Sequence, residues 1–443
     1  MTTTPRTSPL VVLFAVAAAW LPALGARAGA AAAAPPQPVE WRIDPATAVT
    51  LVEDHRVPVI TLRLRFPVGT WSPWARERHV EEAFEIQFYD PEGALRRRAD
   101  ALGIRPSLEV SQRQAELAVT FLARDLDEVS RLVRDILSNR DFDRRELKRW
   151  RQQRKLLWKE QQTSPAFRLG QAAMRALFRP GDPRRLEYEK PPRLSTDTAE
   201  LAAARDLVLA LPGRQIGFAG DIDRERAEAI ARGLLPPPLE EPPEGLEPDL
   251  PPPVDPEKRP REVTVAIRRL TQVYLGLARV GLPETDPDYP AFLVADHVLG
   301  GNFYSRLSVA LRHEEGDTYG AFTHGGGGLV PSGYGPFTFT RAPNAAAAKE
   351  KLHRVIDEFH ARGITEEERE RAAGYLLGRR WTRRANPDAI LREAMWEARF
   401  GLPHGFRDRL AEKAAALPLE KVNAFIERFY DPARLVEVTV APK

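Results

Sequence analysis

Hydrophobic and polar positions change period many times along this chain, and the changes mark out short strands and amphipathic helices. In VPVITLRLRF, residues 57–66, apolar side chains alternate from Ile60 onward, placing Ile60, Leu62, Leu64 and Phe66 on one face. That pattern predicts a half-buried antiparallel strand, with residues 51–53 forming a strand before it across the turn Asp54-His55-Arg56. A helical period follows over 78–102, broken at Asp90-Pro91-Glu92-Gly93 and stopped at Gly103. Residues 104–110 and 114–122 predict a strand pair, and 125–136 a helix. A long charged helix is expected over 144–162, with helices over 165–178 and 195–209, a strand over 214–220 and a helix over 224–232. Trp150 and Trp158 stand close to two helical turns apart, a spacing that suits packing against a core or a neighbouring domain.

Residues 235–261 are dominated by proline and charge, which oppose regular pairing, and read as a linker between separately folded units. Beyond it, strands are predicted over 261–267 and 271–278 and a helix over 289–298. The stretch DHVLGGNFYSRLSVALRHEEGDTY, residues 296–319, then supplies a double-glycine turn at Gly300-Gly301 and a helix carrying Leu307, Val309, Leu311 and Arg312. A strand begins near Tyr319. Another strand over 337–342, helices over 344–362, 365–379, 387–400 and 418–429, and a last strand over 435–440 complete the chain. The two halves share one order of elements, which argues for an internal duplication of about 200 residues. The expected class is α+β: two homologous domains, 46–234 and 262–443, each an antiparallel-rich sheet packed with several helices.

The start of the chain has its own character. Arg6 precedes an apolar run over 11–19, and Ala26-Arg27-Ala28 offers small residues at a cleavage point, so residues 1–28 read as a signal peptide and 29–45 as a tether. The run is short for a membrane span, and the expectation is export to the periplasm. The absence of cysteine excludes disulfides, thiolate ligands and thiol nucleophiles. With 65 basic residues against 62 acidic ones, a net charge of +3 gives no footprint for nucleic acid. No Ser-His-Asp signature, phosphate loop or dinucleotide fingerprint is present.

Candidate chemistry gathers at two places. Arg312 can donate to peptide carbonyls or a terminal carboxylate, and Tyr319 can donate a neutral hydrogen bond beside a carbonyl that becomes negatively charged. Against this stands the plain alternative that Arg312 pairs with Glu314 or Glu315 and Tyr319 packs on its strand. The second place is His79-Val80-Glu81-Glu82-Ala83, which reads first as an ordinary solvated helix and only second as a residual metal site. Gly325 to Gly328 reads as a hairpin turn or a rim, Arg383 and Arg384 as surface charges, and His297 as a packed helix residue, while Asp221 lacks metal-ligand companions.

The segment before Gly300-Gly301, then Ser305-Arg306-Leu307, Leu311-Arg312 with Glu315-Gly316, Tyr319, and TEEERERAAGYLLG over 365–378 together resemble the pitrilysin/insulinase family of zinc peptidases. That family includes the mitochondrial processing peptidases and bacterial paired zinc proteases, and the resemblance spans roughly 49–440. It implies repeated α+β domains closing around an unfolded peptide. Active members carry H-x-x-E-H on a helix of the first domain, two imidazoles sharing a helix face with a glutamate that activates zinc-bound water.

Here His79 and Glu82 match that motif but Ala83 replaces the second imidazole, and a shifted frame over Glu81, Phe84 and Glu85 has no histidine. Arg312 and Tyr319 match the family's substrate-reaching pair. The resemblance therefore implies a non-catalytic, substrate-positioning subunit of a heterodimeric zinc endopeptidase, inactive alone, with no complete catalytic set and no metal of its own. Zinc would sit in a homologous H-x-x-E-H partner, and extended peptide would be the substrate. Two alternatives stand beside it: a peptide-binding or assembly protein without proteolysis, and an independent metalloprotease with a divergent site around His79.

Overall fold

The computed structural model describes residues 35–86, 90, 92–189, 195, 197–313 and 318–443. The expected signal peptide and most of the tether lie outside these residues, as do Pro91, Thr196, Glu314 and Glu315. Among the described residues no helix is long and apolar enough to cross a membrane.

The first half runs β1 (Val39–Asp44), β2 (Thr47–Glu53), β3 (Val59–Phe66), α1 (Pro73–Glu77), α2 (Val80–Glu85), α3 (Ala94–Ala101), β4 (Ser107–Val110) and β5 (Ala115–Leu122). It continues through α4 (Leu126–Ser138), α5 (Arg144–Thr163), α6 (Pro165–Leu177), α7 (Thr198–Leu209), β6 (Arg214–Gly220) and α8 (Arg224–Ala231). The second half runs β7 (Glu262–Ile267), β8 (Gln272–Val280), α9 (Tyr289–Leu299), α10 (Arg306–Ser308), β9 (Thr318–Gly325) and β10 (Gly333–Arg341). Helices α11 (Ala345–Arg362), α12 (Glu366–Arg384), α13 (Pro387–Arg399), α14 (Phe406–Ala415) and α15 (Leu419–Phe429) precede β11 (Val436–Pro442).

Two sheets result, ordered β1-β2-β6-β3-β5-β4 and β7-β11-β8-β10-β9. Setting β1 aside, the strands of each half follow the same spatial order, and in each the parallel pair joins the half's first and last strands, β2 with β6 and β7 with β11. The duplication inferred from element order is thus repeated in topology. Strand β1 was not anticipated. Residues expected to be tether instead pair antiparallel with β2 along VEWRID, because an added strand satisfies the backbone groups of an otherwise open edge. Helices α1 and α14 are also additional to the sequence pattern, both short.

Strand β3 departs from expectation in its burial. Ile60, Leu62, Leu64 and Phe66 enter the first core as predicted, but Thr61 and Arg65 on the opposite face are buried too. The cover is α13, contributed by the second half. Arg63 donates from Nε and Nη2 to the Asp388 carboxylate at 2.6 and 2.9 Å, and Arg65 donates to the Arg392 carbonyl at 3.1 Å. Leu391 and Met395 of α13 pack on Val52 and Ala219.

The reciprocal contact exists on the other sheet. Helix α6 of the first half lays Ala172, Met174 and Leu177 against Ala278, Val436 and Val438 of the second. Each sheet therefore buries one face beneath a helix borrowed from the opposite half. Glycine makes both contacts close: a Cβ on Gly217 of β6 would stand 2.4 Å from the Met395 sulfur, and one on Gly276 of β8 would stand 3.1 Å from a Leu169 methyl.

Since these exchanged helices join the halves through apolar packing, residues 36–443 are expected to unfold in urea as one transition. Met395→Ala is expected to lower the unfolding free energy by about 2–5 kcal/mol, the usual cost of truncating a fully buried side chain. A separate early transition of one half would contradict the coupling.

Candidate functional site

A cavity of about 870 Å³ opens where the halves meet. One wall comes from α2, the β4–β5 turn and α5, and the other from the loop after β9 and the end of α13. His79 and Glu82 both lie on the first wall, so the two candidates from the metal-like fragment are brought together at a concave site.

Their geometry is closed rather than open. His79 precedes α2 in a left-handed conformation, φ 55°, uncommon for a residue with a side chain. Its Nδ1 lies 2.8 Å from Glu82 Oε2, which also accepts from the Ser195 backbone N–H at 3.2 Å. The other oxygen, Oε1, is buried with no hydrogen bond and has Arg151 Nε only at 3.9 Å. Burial pushes the Glu82 carboxyl up to about 7, against which the Ser195 hydrogen bond and Arg151 act more weakly. Glu85 is also raised to about 7, by burial and then by the Glu81 charge.

These residues do not fit a zinc ion. Ala83, where a second imidazole would stand, is fully buried in an apolar cluster with Ile86, Leu201 and Ala204. His79 is committed to Glu82, and the described residues contain no group of three or more His, Asp or Glu side chains able to hold a metal.

The Gly300 to Tyr319 stretch proves to be a scaffold for Arg312. A Cβ on Gly300 would stand 2.5 Å from the Thr323 backbone nitrogen, so the turn can lie on β9 only as glycine. Ser308 Oγ donates to the Ala321 carbonyl at 3.1 Å, and Leu307 and Leu311 are fully buried. Arg306 grips the Glu368 carboxylate through two N–H groups at 2.8 and 2.6 Å, and Glu368 also completes the capping box of α12 with Thr365. The expected amphipathic helix is an α-turn continued by a π-helical turn, Val309–His313.

Arg312 leaves this turn with its guanidinium carbon 4.1 Å from the centre of the Phe303 ring. Among the described residues it makes no hydrogen bond or ion pair, and it is not on the cavity wall. Phe303 is 49% exposed and the neighbouring Tyr304 81%, so the patch faces outward. Tyr319 lies in edge strand β9 at a bulge, where Tyr319 and Gly320 oppose Phe339 alone; its side chain lies outside the described structure. Arg312 and the His79–Glu82 wall are thus separate sites.

Other sequence candidates find structural partners. His297 stacks on Tyr375 at 4.3 Å, and burial lowers its pKa. Asp221 accepts from His55 Nδ1 at 2.6 Å, and Arg384 pairs with Asp408. The glycine loop joins antiparallel β9 and β10 as a hairpin, and Gly327 and Gly328 also line the cavity. Trp158 lines it too and meets Phe167 edge-on at 5.8 Å. Leu329, Trp396 and Phe400 were not anticipated as site residues, since no local motif distinguishes them from core positions.

Comparison with known proteins agrees with this architecture. Residues 215–376 match the family model described as the peptidase M16 inactive domain. The non-peptidase homolog YmxG of Helicobacter pylori is 26% identical over 155 residues, 35% of this chain and 36% of that one, so the alignment spans about a third of the relative. A crystal structure of a peptidase M16 inactive domain from Pseudomonas fluorescens superposes with a TM-score of 0.75 at 21% identity, covering 92% of this chain and 98% of that one. A protease from Helicobacter pylori gives 0.73 at 14% identity, over 92% and 100% of the two chains. The periplasmic protease PqqL from Escherichia coli gives 0.71 at 13% identity, over 92% of this chain but 46% of its own. Over residues 215–376 the chain is thus similar to the M16 peptidases, the pitrilysin/insulinase group that its motifs resemble, and the solved structures share its fold. The part matched by the family model is the inactive domain.

The raised Glu82 pKa sets a testable pH dependence. Folding shifts the group from 4.5 to about 7, so the folded chain binds this proton more tightly than the unfolded one. The associated stabilisation is complete below about pH 4.5 and is lost as pH rises through 7, of the order of 2–3 kcal/mol. Urea unfolding of Glu82→Gln at pH 5 and pH 8 is expected to show a smaller loss over that interval than wild type; an equal loss would place the titration elsewhere.

Proposed function

We propose that this chain is the non-catalytic, substrate-positioning subunit of a two-chain zinc endopeptidase that acts on extended peptides. The observation that carries the reading is Arg312: a guanidinium held on an exposed aromatic ring, outside the lining of the chain's own cavity, with no hydrogen bond or ion pair to the described residues. Such a group suits delivery to a reacting centre on another polypeptide, where it donates to a substrate carbonyl or carboxylate. The partner is a homologous M16 subunit with an intact H-x-x-E-H motif, which supplies zinc and the activated water. Edge strand β4, paired only with β5 among the described strands, offers main-chain recognition beside the cavity.

The size relation with PqqL supports the pairing, because this chain aligns with less than half of that protease. Two chains of this length would make up what PqqL holds in one. Its periplasmic location also agrees with the export expected from residues 1–28. The description of YmxG as a non-peptidase homolog favours a second reading, in which the same cavity binds peptides for assembly without cleavage.

Mixing the purified chain with an H-x-x-E-H subunit is expected to generate cleavage of a quenched fluorescent peptide that neither chain shows alone. Arg312→Ala should then reduce turnover roughly 10- to 100-fold, the worth of one charged hydrogen bond, while the complex still co-elutes in gel filtration. Peptide binding with no turnover in the mixture would favour the assembly reading, and unchanged turnover in the variant would remove Arg312 from the mechanism.

A further inference from the structure

Several charged groups on the first cavity wall are already neutralised within the chain. Glu81 pairs with Arg154, and Glu189 accepts from Arg185 at 2.8 Å. Arg113 reaches Glu247 at 3.4 Å while its guanidinium lies 4.7 Å from the Phe400 ring centre, and His79 holds Glu82. On the second wall the lining is largely apolar: Leu329, Val330, Trp396 and Phe400. These four come from two segments distant in sequence, the loop after β9 and the end of α13.

A single buried node joins those segments. Glu284, 6% exposed, accepts the Gly328 backbone N–H at 3.0 Å, and its own N–H donates to the Gly328 carbonyl at 2.7 Å. Arg407 donates twice to the Glu284 carboxylate, both at 2.8 Å. The same guanidinium lies 4.0 Å from the ring centre of Trp396. One ion pair therefore holds the loop carrying Leu329 and Val330 and braces the indole on the same wall. Gly328 has φ +98°, a conformation available to glycine with little cost, which lets the loop fold back to Glu284.

We infer that Leu329, Val330, Trp396 and Phe400 form a recognition subsite for one bulky apolar side chain of a bound peptide, with Glu284 and Arg407 as positioning residues. The inference rests on the peptide reading above and adds the chemistry the peptide must carry. Arg76 and Glu187 remain on the first wall, but the second wall's lining holds no charged group to attract a charged side chain, and its apolar surface rewards the removal of apolar surface from water.

The test uses the full chain and three labelled decapeptides of alanine and serine, differing at one central position: phenylalanine, alanine or aspartate. Fluorescence anisotropy is expected to show the phenylalanine peptide binding roughly tenfold or more tighter than the alanine one, from burial of the aromatic side chain, with aspartate weakest. Leu329→Asp should abolish the preference while retaining the weak alanine-peptide binding. Glu284→Gln should reduce it by freeing the loop, and Glu284→Asp should restore part of it, a rescue that general destabilisation would not give. Equal binding of all three peptides to wild type, or a preference that survives Leu329→Asp in a chain with native circular dichroism, overturns the subsite and leaves the peptide reading standing. Binding of none of the three overturns both.

Discussion

The structure depends on an exchange of helices. Helix α6 leaves the first half to cover the second sheet, and α13 leaves the second half to cover the first. A sheet with only one covered face would expose its other face to water. Here each half supplies the missing cover for its counterpart, so neither sheet is fully buried without the opposite half. Gly217 and Gly276 let the exchanged helices approach the strands directly. The arrangement places α5 and the end of α13 on facing sides of one cavity.

That constraint explains how the site is built. The cavity is not a cleft within one domain; its walls come from both halves, and the elements that form them are anchored by the exchange. On the first wall the metal-like fragment is partly satisfied within the chain, with Glu82 Oε2 bonded and Oε1 buried without a hydrogen bond. His79 bonds to Glu82, and the core has closed over Ala83. Burial raises the Glu82 pKa and so favours its neutral form.

Chemistry available to another molecule lies instead on the second half. There the residues that carry the family resemblance are mostly structural. Gly300 permits contact with β9, Leu307 and Leu311 fill the core, and Arg306 is bound to Glu368. Together they anchor the short helical segment from which Arg312 reaches the Phe303 ring. Arg407 has the opposite character: both its charge and its flat face are used internally, on Glu284 and Trp396. Among the described residues Arg407 has both an ion pair and a ring contact, whereas Arg312 has the ring contact alone.

Most elements were legible from local pattern because strand alternation and helical period depend on neighbours two to four residues away. The alternation of Ile60 to Phe66, the glycine turn at Gly300-Gly301, the repeated order of elements and the loss of the second histidine at Ala83 all belong to that level. So does the family, whose motifs are contiguous. Burial of Thr61 and Arg65, the strand at Val39–Asp44, the place of Gly327 and Gly328 at the cavity, and the meeting of Leu329 with Trp396 on one wall do not. They arise from pairings between segments far apart in the chain, such as Arg63 with Asp388 and Glu284 with Arg407. Sequence period shows that a helix has an apolar face; only the folded chain decides which sheet that face covers, because the choice depends on the shape and chemistry of surfaces that do not exist until both halves have formed.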